Sequence, residues 1–474
     1  MLLLAVSYHK RNKHMSNWLT NLLNRSKNNK LAKQHEQNLL KARKHYGRFG
    51  RFVRILGPGV VTGAADDDPS GIATYSQAGA VYGYKLLWLF PIMFPLLLAV
   101  QESCARIGAV TGNGLAAILK KHYSKKVLFA AVILVVVANT VNIGSDLAAM
   151  AATIQLFFPD MPFVGLAVFF AIVCVALQIF VPYRQYAKFL KWLAIALFAY
   201  PVTAFMVGQP WGDVFKNTFV PNIQLNKDSI YIIVGILGTT ISPYLFFWNT
   251  SEVVEDEVEQ KRITASSGTG TPRISKAFIR KIRLDNIAGM SLASISAWFI
   301  VIACASTLHI HGVTEIQNAN DAAAALEPLV QGFPNAGMIA KLLFSVGIIG
   351  IGLLAVPVLA GSSSYAISET LGIKEGLYRK FKKAHGFYLI IALATLAGLA
   401  INFLHIDPIQ ALIFTAVFNA VASVPLLWMI YKIGNNKNVM GDYKNGIVSN
   451  IGVFAAFVLM AVATLVLFYS FIPQ

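Results

Sequence analysis

Three carboxylates in a row, Asp66, Asp67 and Asp68, run directly into Pro69 inside an otherwise apolar stretch. Adjacent acids in such surroundings are costly unless they face water, a cation or a basic partner. Pro69 has no N–H and disfavours helix at the residue before it, so the backbone around Asp68 is expected to unwind. Unwinding leaves the carbonyls of Ala64 and Ala65 at the C-terminal end of a half-helix, where partial negative charge collects. A second apolar stretch repeats the pattern. Gly235, Gly238, Thr239, Thr240 and Ser242 precede Pro243, and carbonyls near Gly238 and Thr239 are freed in the same way. Two helix ends and a carboxylate make a cation site built from oxygen. The plainer alternative puts the acids at a membrane boundary, where they only solvate. It leaves the proline break and its counterpart without a reason.

The elements that must carry these residues follow from composition. Of 474 residues, 56% are hydrophobic and 13% charged, against about 25% charged in an ordinary soluble domain. This excludes a soluble enzyme, a disordered chain and a disulfide scaffold. Long apolar runs, such as 127–138 and 451–468, exclude a barrel of short alternating strands. The fold class is an all-α integral membrane protein. Eleven spans are read at about 55–79, 84–107, 127–155, 161–181, 187–208, 228–251, 284–309, 335–367, 386–404, 407–432 and 447–470. The two interrupted spans are the first and the sixth. A unit of five spans must return in inverted orientation, and paired broken helices in corresponding positions point to a transporter's midplane site. The chain therefore divides into a basic tail (1–54), repeat one (55–210), repeat two (228–432) and an appended span (447–471).

The net charge of +18, from 40 Lys and Arg against 22 Asp and Glu, is a topology signal rather than a nucleic-acid signature. Thirteen basic residues lie in the first 54. With the N-terminus cytoplasmic, 22 more fall in or beside the five inner loops, and the outside holds only Lys85, Lys216, Lys227 and Lys341. The C-terminus is then outside. The first residues place a short apolar stretch before the charges, the reverse of a signal peptide. The loop 252–283 is read as a solvated linker, acidic at its start and basic at its end. Cys104, Cys174 and Cys304 share no ligand spacing and are read as buried apolar residues.

These residues resemble a known family. Gly57-Pro58-Gly59 and Asp68-Pro69-Ser70-Gly71 are similar to the first helix of the NRAMP divalent-metal transporters, whose motif there is Asp-Pro-Gly-Asn. In order along the chain, Ala105–Gly112, Ser145-Asp146-Leu147-Ala148, Ala325–Leu329 and Gly361-Ser362-Ser363-Ser364 resemble further motifs of that family. The resemblance covers about 55–432. It implies a LeuT-like 5+5 inverted repeat and a divalent ion held between spans 1 and 6. Manganese- and iron-taking members use an Asp and an Asn from the first helix, a Met from the sixth, and backbone carbonyls. Mapped here, these positions are Asp68, Gly71, Ser242 and the carbonyls of Ala65 and Thr239, with Asp66 and Asp67 as additional carboxylates. The soft thioether is absent, and an oxygen-only set suits a hard ion that keeps several waters, such as Mg²⁺. These departures resemble the Nramp-related magnesium transporter branch. The family's second acid on the third helix is Ala149 here, and its helix 6 His is Tyr244. Asp146 remains, with Asn142 and Asn139 behind it at helical spacing, either a water path or a helix contact.

Tyr244 and Asn419 complete the candidate polar pathway. Glu102 and Arg106, four residues apart, are read as a mutual pair. His309 and His311 are read as solvated. The resulting expectation is import of a divalent metal, Mg²⁺ with Mn²⁺ as well, across the plasma membrane and without tight proton coupling. A proton-coupled Mn²⁺/Fe²⁺ symporter is the runner-up. A membrane-embedded enzyme lacks a second catalytic group facing the acids, and an amino-acid transporter would not place acids beside the break. The metal is cargo, no cofactor is expected, and the partners are the ion and membrane lipid, with no nucleic acid.

Overall fold

The structure, a computed structural model, describes residues 58–181, 199–222, 226–260, 262–263, 274–312, 316, 319–330, 335–404 and 407–472. The basic tail expected over 1–54 and most of span 5 lie outside the described residues. Every regular element among the described residues is helical. The first span is two half-helices, α1 (Pro58–Asp66) and α2 (Pro69–Tyr82). They are followed by α3 (Leu89–Thr111), the short α4 (Leu115–His122), α5 (Lys125–Gln155), α6 (Phe163–Phe180), α7 (Ala199–Met206) and α8 (Trp211–Phe219). The sixth span is again divided, into α9 (Lys227–Thr240) and α10 (Pro243–Glu259). The rest are α11 (Lys276–Cys304, continued by a π turn to His309), α12 (Ala319–Ala324), α13 (Ala336–Leu371), α14 (His385–Ile401), α15 (Pro408–Asn435), α16 (Lys437–Met440) and α17 (Ile447–Ser470).

Both breaks have the same local cause. Pro69 opens α2 and Pro243 opens α10, each at a position where a missing N–H costs nothing. Among the described residues, nine helices are long and apolar enough to cross a membrane, with α9 and α10 taken together. The α1–α2 pair supplies the first span, and α7 is the described part of the fifth.

Burial sorts the spans into centre and rim. In the most apolar stretch of α9–α10, 89% is buried, against 28% for α6 and for α17. The broken helices are therefore the core, and α6 and α17 face the lipid. Glycine permits the closest approaches. A Cβ on Gly63 would collide with the Gly289 backbone, which seats α1 directly on α11. One on Gly238 would lie 2.5 Å from the Ala420 nitrogen, which seats α9 on α15.

Two sequence expectations need correction. The inner loop does not begin at 252, because α10 runs to Glu259 and α11 starts at Lys276. The acids read as its solvated start belong to a helix packed against protein. Glu255 accepts the N–H groups of Leu377 and Tyr378 at 2.6 and 2.9 Å, and Thr62 lies 3.3 Å from Glu252. The histidine reading holds only in part. His309 is half-buried, its Nδ1 2.7 Å from the Ala80 carbonyl, while His311 is exposed as expected, its Nδ1 2.6 Å from the carbonyl of Thr307. The Glu102–Arg106 pair is present and larger than expected. Glu102 also accepts from Arg283 on α11 at 2.8 Å and from the Ser449 hydroxyl on α17 at 3.3 Å, so one buried carboxylate ties three helices. The three cysteines are buried and unpaired.

Candidate metal centre

Asp68 is the residue on which the first break turns. It takes extended backbone angles, φ −63° and ψ 170°, and caps the N-terminus of α2. Its Oδ1 accepts the Gly71 N–H at 2.9 Å and the Ser70 hydroxyl at 2.5 Å. Its Oδ2 accepts the side-chain amide of Asn142 on α5 at 2.8 Å, with the Tyr244 hydroxyl of α10 at 3.4 Å. Tyr244 places that hydroxyl 2.7 Å from the Ala65 carbonyl, so one phenol reaches both sides of the break in the first span.

The second break is laced in a similar way. Ser242 turns its hydroxyl back onto the end of α9, donating to the carbonyls of Thr239 at 2.7 Å and Gly238 at 2.8 Å. The Thr239 hydroxyl oxygen is 3.4 Å from that of Ser70, and Tyr75 and Thr240 share a hydrogen bond of 3.0 Å. The two breaks thus meet through oxygen. Asp68, Ala65, Thr239, Ser242 and Tyr244 are all buried. Ser70, Tyr75 and Thr240 were missed in the sequence. Ser70 had a signal, since a hydroxyl two residues after a capping Asp lies within its reach. The other two carried none.

Asp66 and Asp67 are buried beside this network, and one oxygen of each has no hydrogen-bond partner. They do not close with Asp68 into a three-carboxylate cage. Among the described residues, no three His, Cys, Asp or Glu side chains gather as a metal cluster.

The polar stripe on α5 divides by role. Asn139 ties α5 to α13, donating to the Leu359 carbonyl at 3.1 Å and to Ser363 at 3.0 Å. Asn142 holds Asp68. Asp146, one turn further, is fully buried with neither oxygen hydrogen-bonded, and Asn419 on α15 is buried with both side-chain atoms unpartnered. A cavity of about 590 Å³ runs between α2, α5, α13 and α15. It reaches from Gln155 and Asp407, at helix ends, to Pro69 beside Asp68.

Similar proteins share this frame. A divalent metal cation transporter MntH of Verminephrobacter eiseniae is 27% identical over 435 residues, covering 89% of this chain and 90% of that protein. An MntH 1 of Pseudomonas aeruginosa is 27% identical, covering 88% and 92%. A crystal structure of the Eremococcus coleocola manganese transporter superposes with a TM-score of 0.69 at 17% identity, covering 90% of each chain. MhsT bound to L-phenylalanine superposes at 0.58 and 11% identity, covering 88% of this chain and 98% of that one. The fold is therefore shared with MhsT, whose structure holds L-phenylalanine, while the sequence relatives named above are divalent metal cation transporters. The natural resistance-associated macrophage protein-like family matches residues 59–470, from the start of α1 to the end of α17, and this chain belongs to it.

Proposed function

We propose that this chain carries divalent metal cations across the plasma membrane, Mg²⁺ first and Mn²⁺ as well, holding the ion where the two broken helices meet. The metal is the transported substrate and the protein is not an enzyme. The observation that carries the reading is the oxygen-only surroundings of Asp68. Its carboxylate, the Ala65 and Thr239 carbonyls and the Ser242 and Tyr244 hydroxyls form one connected set without sulfur or imidazole. Asp68 is the one charged ligand in this assignment. Gly71 brings no side-chain ligand, and the Thr239 hydroxyl and Tyr75 ring already crowd the place where one would begin. Asp66 and Asp67 supply negative potential and acceptors for the hydration shell that Mg²⁺ gives up reluctantly.

Access fits the same assignment. The cavity above Pro69 opens on the side that the charge asymmetry makes outer. Toward the inner side, Gly59 N–H donates to Asp285 at 2.7 Å and closes α1 against α11. The ion enters from outside, exchanges the Asn142 and Tyr244 hydrogen bonds on Asp68 for its own, and leaves when the inner contacts part. In this topology the N-terminus is cytoplasmic, the C-terminus is outside, and residues 55–210 and 228–432 are the two halves that rock. Asp146, Asn142, Tyr244 and Asn419 line the polar route beside the ion.

A second reading, proton-coupled Mn²⁺/Fe²⁺ symport, is favoured by the MntH relatives and the manganese-transporter likeness. Uptake of Mg²⁺, Mn²⁺ and Ca²⁺ into proteoliposomes, with lumenal pH recorded, separates the two. Mg²⁺ influx without matching acidification is expected. Mn²⁺ influx with stoichiometric acidification and no Mg²⁺ influx installs the second reading.

A further inference from the structure

The loop between α13 and α14 carries Lys374, Arg379, Lys380, Lys382, Lys383 and His385 within a dozen residues. Five of them, with Ala384 and Gly386, line a concavity of about 640 Å³. Lys380 stands exposed beside it. None of these basic groups forms an ion pair among the described residues. The one acid of the loop, Glu375, is buried and takes no part in the lining. Arg379 is held by its Nε, which donates to the Glu375 carbonyl at 2.8 Å, and its guanidinium lies 4.9 Å from the centre of the Tyr378 ring. Lys120 at the end of α4 extends the patch, its Nζ falling 3.6 Å from where a side chain on Gly372 would begin.

Two further features point to an anion rather than to a merely solvated face. The N-terminus of α14 opens into the concavity at His385 and Gly386, and no side chain caps it. Its partial positive charge adds to that of the lysines. The basic residues are also interleaved with exposed apolar ones. Leu371 is 58% exposed, Ile373 36% and Phe381 42%. The Phe381 ring packs 5.1 Å from His385 and 5.8 Å from Tyr388, at the depth where a membrane helix begins. Basic groups over exposed apolar and aromatic side chains, at a membrane helix terminus, match the two ends of a lipid. A free phosphate would use only the first set. Basic pockets at this level between spans are where anionic headgroups bind.

We propose that residues 371–388 bind the headgroup of an anionic glycerophospholipid from the inner leaflet, with Lys374, Arg379, Lys382 and Lys383 on its phosphate and Leu371, Ile373 and Phe381 against its acyl chains. The site stands apart from the ion path and does not depend on which metal is carried.

The test uses the full chain in nanodiscs of phosphatidylcholine doped with phosphatidylglycerol, with retained lipid counted by native mass spectrometry. Each basic group near an anionic surface is worth roughly fivefold in affinity. K382Q with K383Q should therefore lower phosphatidylglycerol retention on the order of tenfold or more. K125Q with K126Q, which removes equal charge from the start of α5, should leave it unchanged. Equal loss in both pairs would reduce the effect to bulk charge and overturn the site. Glycerol phosphate at millimolar concentration should not displace the lipid, and displacement would overturn the lipid assignment in favour of a free phosphate. A photoactivatable phosphatidylglycerol on the unaltered protein covers the case of variants that fail to fold. Adducts should fall within 371–388, and adducts only elsewhere would overturn the proposal.

Discussion

Asp68 answers to four donors at once, and that makes its substitution informative. Asp68→Asn keeps the shape but sets an NH₂ against a ring of N–H and O–H groups, so it removes charge and breaks at least one hydrogen bond. Outer partners of metal ligands are each worth roughly 10–100-fold in affinity. Loss of the single charged ligand should cost at least that much in Mg²⁺ and Mn²⁺ binding, measured by calorimetry at matched expression. Unchanged binding would take Asp68 out of the site. Selectivity is the second test. Ser242→Met places a thioether at the end of α9 and should tighten Cd²⁺ binding on the order of tenfold while weakening Mg²⁺ transport, since sulfur favours soft ions. Adding Gly71→Asn completes the missing pair. A side chain at 71 begins 3.1 Å from the Thr239 hydroxyl and 3.3 Å from the Tyr75 ring, so the double variant gains only if those two give way. No gain in Cd²⁺ affinity for either variant would mean that Ser242 does not face the ion. The break at Asp68 was legible in the sequence because acid and proline mark an interruption in any apolar helix, while Ser242 and Tyr244 were reached through the resemblance to the family's sixth helix. Tyr75 and Thr240 were not, because which face of a buried helix meets which neighbour is decided by tertiary packing.

At the scale of elements, α1 is held in place by contact rather than by covalent connection to α2. Gly63 on the Gly289 backbone and the Gly59 bond to Asp285 press it onto α11. A methyl group at 63 has only backbone to displace. Overpacking of this kind costs about 1–3 kcal/mol. Gly63→Ala should therefore shift the population toward a state with α1 detached, read as faster hydrogen exchange across 58–66. Unchanged exchange there would show that the contact does not latch the inner side. The α10 ending was misread for a related reason. Acids in a row look like a solvated loop, and only the fold reveals that Glu255 meets the amides of the α13–α14 loop. Glu375 in that same loop gives a pH test. Burial, and then the negative charges of Glu369 and Glu255, raise its pKa above the ordinary 4.5, with Arg379 offsetting in part. The folded state thus binds this proton more tightly than the unfolded one. The stability it contributes is complete below about pH 4.5 and is lost as pH rises toward the raised value. Glu375→Gln should remove that slope. Its melting temperature should gain on the unaltered protein as pH goes from 5 to 9, and an equal slope in both would place the titration elsewhere.

For the molecule as a whole, the question is what drives the ion. The helical spans described here and the two breaks could be read from hydropathy and proline, because a bilayer leaves few alternatives. The energy source could not, since it depends on whether titratable groups connect. A proton relay needs groups within hydrogen-bond reach of one another. From Asp68 the network passes to Asn142 and Tyr244, an amide and a phenol, and the next acid on α5, Asp146, has no hydrogen-bond partner. Ala149, nearer the outer end of that helix, cannot titrate at all. The membrane potential needs no such chain. At about 100 mV it contributes about 4.6 kcal/mol to a divalent ion moving inward. We predict that proteoliposome uptake rises with a potassium-diffusion potential, negative inside, and stays nearly flat when only a proton gradient is imposed. Asp146→Asn should leave that potential dependence unchanged. Uptake that follows the proton gradient, and loses it in Asp146→Asn, would make Asp146 the relay. Water must then bridge it to Asp68, and proton-coupled symport would replace potential-driven uptake.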